Sequence, residues 1–441
     1  MTFTILHGNN LDILPTLPDN SVDSIVTDPP YELGFMGKKW DSSGIAYSVE
    51  LWTECLRVLK PGGHLLSFGG TRTFHRVAVA IEDAGFEIRD NIAWLYGSGF
   101  PKSLDVSKAI DKSAGAEREV IGQKVSPDGT CYASRIINAR GPSIGGAAYG
   151  EYGNGGGEVT APSTTEAQQW NGWGTALKPA HEPIIVARKP LEGTVANNVL
   201  THGTGALNID GSRIGTDDNL NGGRYSDGKN ENDSFVFGKG VNKRSKNDFE
   251  QPKGRWPANI ILDEHTAGLL DEQSGVSKSP ATYVRNKGTL EGERVAYANI
   301  GESAGAESLN YGDSGGASRF FYVAKASKRD RNEGLEEMPI KRPDNRSSTG
   351  MGTFEEKGVQ PQQNFHPTVK PTALMEYLVK LVTPPNGTVL DPFTGSGSTG
   401  KAAILNGFSF IGIELTEDYL PIIDARLKHA EATYGSQIRM D

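Results

Sequence analysis

The chain has 441 residues, 36% of them hydrophobic and 22% charged, and its formal net charge at pH 7 is −9. This composition excludes a fibrous or largely disordered protein, and the length accommodates two domains or one domain with large insertions. No apolar run approaches the roughly 18 residues of a membrane-spanning helix, and the first residues lack a signal-peptide pattern. The two cysteines, Cys55 and Cys131, form no Cys-x-x-Cys pair, which argues against disulfides and a zinc site. We therefore expect a cytoplasmic protein with no membrane partner and no bound metal.

The N-terminal region predicts strands that alternate with helices, which is typical of a parallel sheet covered on both faces. A helix in this region ends at Pro61-Gly62-Gly63, a common stop signal. The predicted elements are the strand Val22–Thr27, the helix Glu50–Leu59, the strand His64–Phe68, the helix Thr71–Ala84 and the strand Phe86–Trp94.

The middle of the chain has a different composition. Residues 111–175 are rich in Gly, Ser and Ala, and residues 215–255 are rich in Asn, Asp, Gly and Lys. Such stretches bury little apolar surface, so we predict long surface loops or partly disordered insertions. Three short apolar segments predict strands within this part of the chain: Ile184–Ala187, Ala258–Leu262 and Phe320–Ala324.

The C-terminal region returns to alternating strands and helices. The predicted elements are the helix Thr372–Leu381, the strand Thr388–Leu390, the helix Ser398–Asn406, the strand Phe408–Ile413 and the amphipathic helix Glu417–Ala432.

The strongest chemical signal is Asp28-Pro29-Pro30-Tyr31, directly after a predicted strand, where open α/β sheets place ligand-binding groups. An exocyclic base amine is a weak nucleophile because its lone pair is conjugated with the ring. A carboxylate and a backbone carbonyl that accept its two N–H bonds would free this lone pair. The prolines stiffen the turn that presents these acceptors, and an aromatic side chain stacks on an extruded base. The alternative is an ordinary strand-to-turn exit.

A second signal is the glycine-rich turn of Val389–Gly400, which joins a predicted strand to a predicted helix. Such turns let the backbone approach a nucleotide-like ligand. Gly395, Gly397 and Gly400 also satisfy the Gly-x-Gly-x-x-Gly dinucleotide pattern, and Glu414 ends the next strand where a carboxylate binds ribose hydroxyls. NAD is disfavoured because only one strand and one long helix follow. Together with Asp28–Tyr31, the turn favours S-adenosylmethionine.

The order of these motifs resembles that of a known family, the permuted β-type amino-group DNA methyltransferases. In that family an Asp-Pro-Pro-Tyr motif precedes the target-recognition region, and a Phe-x-Gly-x-Gly motif follows it. The resemblance covers residues 3–100, 176–190 and 364–435. Its further matching segments are Gly8–Tyr31, Arg57–Gly63, His181–Ile184 and His366–Pro371. In one departure, Asn9-Asn10 replaces the family's aspartate after Gly8, and an asparagine oxygen would accept the same bond without charge.

The resemblance implies an α/β fold with a Rossmann-like, circularly permuted, seven-strand mixed sheet and a large inserted target-recognition region. The implied parts are a catalytic half (1–110), a loop insertion (111–175), a return strand (176–190), a target-recognition region (191–363) and a cofactor half (364–441). Asp28, Pro29, Pro30 and Tyr31 are expected to hold the target base. The expected cofactor-binding residues are Asn9, Asn10, Asp28, His366, Thr368, Lys370, Asp391, Phe393, Gly395, Ser396, Gly397 and Glu414.

By the same resemblance, the activity is methyl transfer from S-adenosylmethionine to adenine N6 in duplex DNA, with S-adenosylhomocysteine as the product. Aspartate at the first motif position is the family habit for adenine, and serine is the habit for cytosine N4, which stays the alternative. The resemblance implies a bacterial or phage enzyme. It leaves open a homodimer and a paired restriction endonuclease.

Duplex DNA is the expected partner although the net charge is negative, because a binding face needs only local positive density. Contacts beside the base pocket are expected from Lys38, Lys39 and Trp40. Phosphate contacts are expected from Lys243, Arg244, Lys246 and Arg255. The alternatives are solvated loops for the basic stretches and plain packing for Trp40.

Three other functions are weaker alternatives. Pro343-Asp344 followed by Glu355-Glu356-Lys357 has the spacing of a metal-dependent nuclease core, but the intervening residues lack a strand pattern. An RNA methyltransferase would use the same sheet. A non-catalytic DNA-binding protein would have no use for Asp28, Tyr31 and Glu414 together.

Overall fold

The computed structural model describes residues 2–33, 39–97, 99, 103–123, 158–216, 218, 220, 252–278, 282–284, 307–309, 313–325, 327, 329–340 and 363–438. Contacts divide the chain into two compact units. Unit 1 comprises Met1–Ala206 and Ala326–Asp441, and unit 2 comprises Leu207–Lys325. In the described part of the chain, no helix is both long enough and apolar enough to cross a membrane.

The described strands are numbered in chain order. They are β1 Phe3–His7, β2 Val22–Thr27, β3 Leu59–Phe68, β4 Glu87–Leu95, β5 Val120–Gln123, β6 Glu158–Thr160, β7 His181–Arg188, β8 Ile260–Asp263, β9 Ser277–Lys278, β10 Thr282–Val284, β11 Glu307–Leu309, β12 Ser314–Gly315, β13 Tyr322–Ala324, β14 Thr388–Asp391 and β15 Ser409–Glu414.

The described helices are numbered in the same way. They are α1 Asn10–Ile13, α2 Val49–Val58, α3 Phe74–Asp83, α4 Val106–Ser113, α5 Thr165–Gln169, α6 Val195–His202, α7 Glu264–Ser274, α8 Thr372–Val382, α9 Ser398–Leu405 and α10 Leu420–Ile438.

Unit 1 is built on a mixed sheet. Seven of its strands lie in the order β1-β15-β14-β2-β3-β7-β4. The neighbours from β1 to β3 are parallel, whereas β7 is antiparallel to both β3 and β4. This arrangement confirms the predicted α/β fold with a mixed sheet.

The core of unit 1 follows from the hydrophobic pattern. All six residues of β2 are buried, as expected for a strand with both faces covered. Helix α2 places Leu51, Trp52, Cys55 and Val58 on one face, and each of these side chains is fully buried. They belong to a hydrophobic cluster that includes Ile25 of β2. Apolar burial of this kind is the main favourable term in folding.

The turn predicted at Pro61-Gly62-Gly63 is part of a strand instead. Helix α2 ends at Val58, and β3 begins at the next residue and runs through the prolyl and glycyl positions. Gly62 has a φ of +76°, and its N–H donates to Lys189 O over 3.1 Å. The glycine therefore allows the strand to continue where an L side chain would be strained.

The insertion predicted as a loop at 111–175 contains regular structure in its described parts, 111–123 and 158–175. Strands β5 and β6 pair in antiparallel orientation, and α4 and α5 flank them. The buried carboxylate of Asp111 accepts hydrogen bonds from Ser163 N at 3.0 Å and Thr164 N at 3.0 Å, and it pairs with Arg118. Sequence analysis missed this structure because one buried carboxylate organises it, rather than an apolar periodicity. Gly155-Gly156-Gly157 lies outside the described residues.

Unit 2 covers a shorter stretch of the chain than the predicted target-recognition region, 191–363. Helix α6 belongs to unit 1 because Asn198 Nδ2 donates to Pro61 O over 2.9 Å and to Thr204 O over 2.8 Å. Residues 329–340 also belong to unit 1, where Lys401 Nζ lies 2.7 Å from Glu333 Oε2. Polar contacts between distant segments set these boundaries, and local sequence patterns do not reveal them.

Unit 2 contains a parallel pair, β8 and β13, and two short antiparallel pairs, β9 with β12 and β10 with β11. The first pair confirms two of the predicted strands, each shorter than expected. Ile261, Leu262 and Ala324 are buried between these strands and the adjoining helix α7. These apolar contacts form the described core of unit 2.

Candidate active site

A cavity of about 490 Å³ opens at the carboxyl edge of the unit 1 sheet. Strands β2, β14 and β15 end at this cavity, and β7 begins there because it runs in the opposite direction. Crevices at strand ends are where open α/β sheets bind ligands, and the volume is that of a small-molecule site. Among its lining residues are Asn9, Asn10, Asp28, Pro29, Pro30, Tyr31, His366, Thr368, Lys370, Asp391, Phe393, Gly395, Ser396 and Glu414.

The structure thus brings together every predicted catalytic and cofactor residue except Gly397, which does not line the cavity. Gly397 is the N-cap of α9, with a φ of +77°. A side chain there would be strained and would lie 3.3 Å from Ile423 Cγ2. Gly397 therefore allows the turn to form without itself lining the cavity.

Four polar side chains form a compact cluster on the catalytic side of the cavity. Lys370 Nζ lies 2.9 Å from Asp28 Oδ2 and 3.0 Å from Glu182 Oε2. The same ammonium donates to Tyr31 Oη over 3.1 Å, and Tyr31 Oη donates to Glu182 Oε2 over 3.0 Å. We call Asp28, Tyr31, Glu182 and Lys370 the Lys370 cluster.

The two carboxylate oxygens of Asp28 differ in their interactions. Oδ2 pairs with Lys370, whereas Oδ1 is buried and has no hydrogen-bond partner among the described residues. Burial raises the pKa of this carboxyl, the Lys370 charge opposes that effect, and the Glu182 charge adds to it. A buried acceptor without a donor is costly in a folded protein. Asp28 Oδ1 is therefore positioned to accept a hydrogen bond from a bound ligand.

Burial acts in opposite directions on the pKa values of Tyr31 and Lys370. Burial raises the pKa of Tyr31 well above its usual value, and the neighbouring carboxylates raise it further. Burial alone would lower the pKa of Lys370, but Asp28 and Glu182 together raise it. At neutral pH the phenol is therefore protonated and the lysine is charged.

On the cofactor side, Asp391 ends β14 and is 2% exposed. Its Oδ1 accepts hydrogen bonds from Thr27 Oγ1 over 2.6 Å and from Phe393 N over 3.0 Å. Burial raises the pKa of this carboxyl to about 6, although these hydrogen bonds oppose the shift. Asp391 thus fixes the start of the glycine-rich turn and carries a buried charge beside the cavity.

Glu414 ends β15 and holds the same turn. Its Oε2 accepts from Gly395 N over 2.8 Å, and its Oε1 accepts from Thr416 N over 2.7 Å. Burial raises its pKa, against the effect of these two backbone N–H groups. The carboxylate is rigid, faces the cavity and keeps lone pairs for a hydroxyl donor.

His366 is neutral at physiological pH because burial lowers its pKa to about 4. Its Nδ1 lies 2.5 Å from Thr368 O, and since a carbonyl only accepts, the proton is on Nδ1. A Cβ at Gly395 would lie 3.0 Å from His366 Nε2, so the ring packs against the glycine-rich turn. The ring also makes an edge contact with Tyr419, with 4.5 Å between centroids.

The two asparagines after Gly8 have different local roles. Asn9 Oδ1 accepts from Leu11 N over 3.2 Å and caps α1. Asn10 is buried, and its Nδ2 donates to Pro392 O over 3.3 Å. Asn10 therefore connects the N-terminal segment to the cofactor side of the cavity, whereas Asn9 fixes the start of α1.

Sequence analysis assigned no function to Glu182, although the segment that contains it matched the family. Its position as the second residue of a strand that begins at the catalytic edge was the available signal. The antiparallel direction of β7, which puts Glu182 beside Lys370, is a property of the sheet. Thr27, Thr399 and Tyr419 were also missed. Thr27 and Thr399 are neighbours of predicted residues along the chain, whereas Tyr419 approaches His366 only through the fold.

Few of the residues predicted to contact DNA lie in the described part of the chain. Lys38, Lys243, Arg244 and Lys246 lie outside the described residues, and only the backbone of Lys39 and Trp40 is described. The nuclease-like segments Pro343-Asp344 and Glu355-Glu356-Lys357, and Cys131, also lie outside the described residues.

Arg255 differs from the phosphate contact that the sequence suggested. Its side chain is 11% exposed, pairs with Asp218 and Asp313, and lies over the Phe320 ring with 5.0 Å to the centroid. This guanidinium is therefore part of an internal ion-pair cluster in unit 2. The polar stretch suggests a surface group, but the acidic partners of Arg255 are 37 and 58 positions away along the chain.

Groups of three or more His, Cys, Asp or Glu side chains in a metal-binding arrangement do not occur among the described residues.

A family model described as DNA methylase (N6_N4_Mtase) matches residues 22–425. The chain belongs to the DNA methylase family. The match spans both halves of the cavity, from β2 to α10.

Individual relatives match shorter stretches. The type II methyltransferase M.ScaI of Streptomyces caespitosus is 44% identical over 71 residues, which is 16% of this chain and 23% of the relative. M.HpaI of Haemophilus parainfluenzae is 34% identical over 113 residues, 24% of this chain and 36% of the relative. The DNA adenine methyltransferase YhdJ of Escherichia coli (strain K12) is 47% identical over 55 residues, 12% and 19% respectively. The chain thus aligns with about a fifth to a third of each relative's length.

Two solved structures are similar over nearly the whole chain at low identity. The M1.HpyAVI–SAM complex has a TM-score of 0.36 and 16% identity, covering 97% of this chain and 99% of that one. The PvuII DNA methyltransferase, described as cytosine-N4-specific, has a TM-score of 0.40 and 12% identity, covering 99% and 92%.

Proposed function

We propose that this member of the DNA methylase family transfers a methyl group from S-adenosylmethionine to the N6 amine of adenine in duplex DNA. The observation that carries the proposal is the unpartnered, buried Asp28 Oδ1 in a cavity that also contains Glu414 and the glycine-rich turn. The motif order, with the catalytic segment before the cofactor segment, is that of the permuted β type.

The catalytic side of the cavity fits a base amine. Asp28 Oδ1 and the Pro29 carbonyl accept the two amine hydrogens, which draws the nitrogen towards a tetrahedral geometry and frees its lone pair. Tyr31 covers one face of the base after it leaves the duplex stack, a step that costs a few kcal/mol. The rigid Asp28-Pro29-Pro30 turn keeps these acceptors in place.

The cofactor side fits S-adenosylmethionine. The rigid carboxylate of Glu414 is an acceptor for the ribose hydroxyls, and the turn at Gly395 allows close approach of the backbone. When bound, S-adenosylmethionine supplies an electrophilic methyl carbon on a sulfonium. Asp28 and Glu182 supply negative charge on the catalytic side of the cavity, which would suit a cationic sulfonium.

Adenine N6 is preferred over cytosine N4 for two reasons. The catalytic motif begins with aspartate, as in adenine-specific family members, whereas serine is the habit for cytosine N4. In addition, a relative named as a DNA adenine methyltransferase shares 47% identity over 55 residues. Cytosine N4 is the second candidate because both amines need two acceptors.

Duplex DNA is the proposed substrate, and unit 2 is the proposed target-recognition body, because it interrupts unit 1 where the family places that region. A separate body of this kind is suited to reading a groove. RNA is the alternative substrate.

The test is methyl transfer from labelled S-adenosylmethionine to unmethylated genomic DNA, followed by nucleoside analysis of the digest. Labelled N6-methyladenine supports the proposal. N4-methylcytosine overturns the base assignment and retains the enzyme class. Transfer to folded RNA, with none to DNA by folded protein, overturns the substrate.

A further inference from the structure

We propose that Glu182 is a positioning residue that shares the Lys370 ammonium with Asp28, and so keeps Asp28 effective as an acceptor for the target amine. This inference rests on the proposed function and assigns a role to a residue outside the Asp28–Tyr31 motif. The distances within the Lys370 cluster carry it.

Lys370 is an immobilised cation. Its three ammonium hydrogens have three acceptors within 3.1 Å: Asp28 Oδ2, Glu182 Oε2 and Tyr31 Oη. The ammonium also lies 4.6 Å from the Phe68 ring centroid and 5.4 Å from that of Tyr31. It is the one lysine or arginine among the described residues that line the cavity. The position of the Lys370 ammonium therefore depends on the carboxylates that pair with it.

If Lys370 paired with Asp28 alone, the pair would oppose methyl transfer. A full ion pair withdraws electron density from the carboxylate that must accept the amine hydrogen. Glu182 prevents this by offering a second carboxylate at 3.0 Å, and it also receives the Tyr31 hydroxyl. Counted by formal charge, the two carboxylates and one ammonium give the cluster a net charge of −1.

This negative charge suits the reaction. The amine nitrogen forms a bond to the methyl carbon as the carbon–sulfur bond breaks, so the positive charge passes from sulfur to that nitrogen. The nitrogen then gives a proton to Asp28, and the proton leaves to solvent. A cluster charge of −1 stabilises the cationic nitrogen, whereas a neutral Asp28–Lys370 pair would not.

Replacing Glu182 by Gln tests the proposal. We expect kcat to fall on the order of 10- to 100-fold, with less than about a twofold change in the Kd for S-adenosylmethionine. The acid limb of the kcat profile should move to lower pH, because the Glu182 charge raises the pKa of Asp28 and Lys370 lowers it. His181→Gln, an exposed neighbour on the same strand, is the matched control.

A second readout needs no turnover. Carboxyl NMR of ¹³C-aspartate-labelled free protein, assigned with Asp28→Asn, should show a lower pKa for Asp28 in Glu182→Gln than in wild type. Glu182→Asp retains the charge and should keep the wild-type acid limb even if kcat falls. Should Glu182→Gln not fold, Glu182→Ala, which also removes the charge, takes its place in both measurements.

A double-mutant cycle with Lys370→Met tests whether Glu182 acts through the lysine. Glu182→Gln should cost less than about threefold in kcat when Lys370 is absent. Additive losses, an unmoved Asp28 pKa, or a raised Kd with unchanged kcat would each overturn the proposal. If wild-type protein methylated no DNA, the proposed function would fail, whereas the NMR titration would still test the coupling of Glu182 to Asp28.

Discussion

The Thr27 hydroxyl donates a 2.6 Å hydrogen bond to Asp391 Oδ1, which joins two residues that are 364 positions apart. Thr27 ends β2 immediately before Asp28, and Asp391 ends β14 at the start of the glycine-rich turn. One buried contact therefore sets the spacing between the proposed catalytic and cofactor sides of the cavity. The rate of a transfer reaction depends on such spacing, because the two reacting groups must be held close together and aligned.

Replacing Asp28 by Asn should remove most of the activity. The amide keeps the size of the side chain but loses the charge that accepts the amine hydrogen, so we expect kcat to fall at least about 100-fold. The Kd for S-adenosylmethionine, measured by isothermal titration calorimetry, should change much less. Asp12→Asn, an exposed residue of α1, is the control and should retain activity. Equal losses in kcat and in cofactor affinity would move Asp28 to the cofactor side.

Asp391 should make stability depend on pH. Its folded pKa of about 6 is above the ordinary 3.8, so the folded protein holds a proton in this window that the unfolded chain has lost. The contribution of this group to the free energy of unfolding therefore falls as pH rises from about 4 to 6. Asp391→Asn removes the buried charge and should stabilise the protein at about pH 8, by at most about 3 kcal/mol.

Melting temperatures at about pH 8 and pH 5 check this prediction. The advantage of Asp391→Asn over wild type should shrink at the lower pH, where wild-type Asp391 is itself protonated. A constant difference at both pH values would mean that lost hydrogen bonds, rather than the buried charge, decide the effect.

Glu414→Gln should act on cofactor binding rather than on the chemical step. The variant loses one charged acceptor for a ribose hydroxyl and weakens the bond from Gly395 N. We expect the Kd for S-adenosylmethionine to rise roughly tenfold, since a charged hydrogen bond contributes about 1.5–3 kcal/mol. The kcat at saturating cofactor should stay near the wild-type value. Glu417→Gln, exposed and three residues away, provides the control.

Arg255→Ala should destabilise unit 2 rather than change how DNA binding depends on salt. Removal of the guanidinium leaves Asp218 without its ion-pair partner, whereas Asp313 keeps Arg319 at 3.1 Å, so we expect a loss of about 2–3 kcal/mol. Thermal unfolding should report this loss, and Lys253→Ala, an exposed neighbour, should melt like wild type. If stability were unchanged and the salt slope of DNA affinity fell by about one unit, the phosphate contact suggested by the sequence would be correct.

Local sequence patterns located the elements of unit 1 well. The predicted strand Val22–Thr27 coincides with β2, and the predicted helix starting at Thr372 extends one residue further, to Val382. These elements have strong hydrophobic periodicity, which depends only on neighbours along the chain. Helices α4 and α6 were missed because each is held by a single buried polar residue, Asp111 or Asn198.

The sequence by itself determined which residue types carry the chemistry: a carboxylate at a strand end, a glycine-rich turn and a second carboxylate after the next strand. These are local patterns whose physical roles follow from backbone geometry and charge. Only the tertiary structure decided that Glu182 shares Lys370 with Asp28 and that Arg255 is an internal ion-pair partner. Strand direction and long-range pairing decide both contacts, and no short stretch of sequence encodes them.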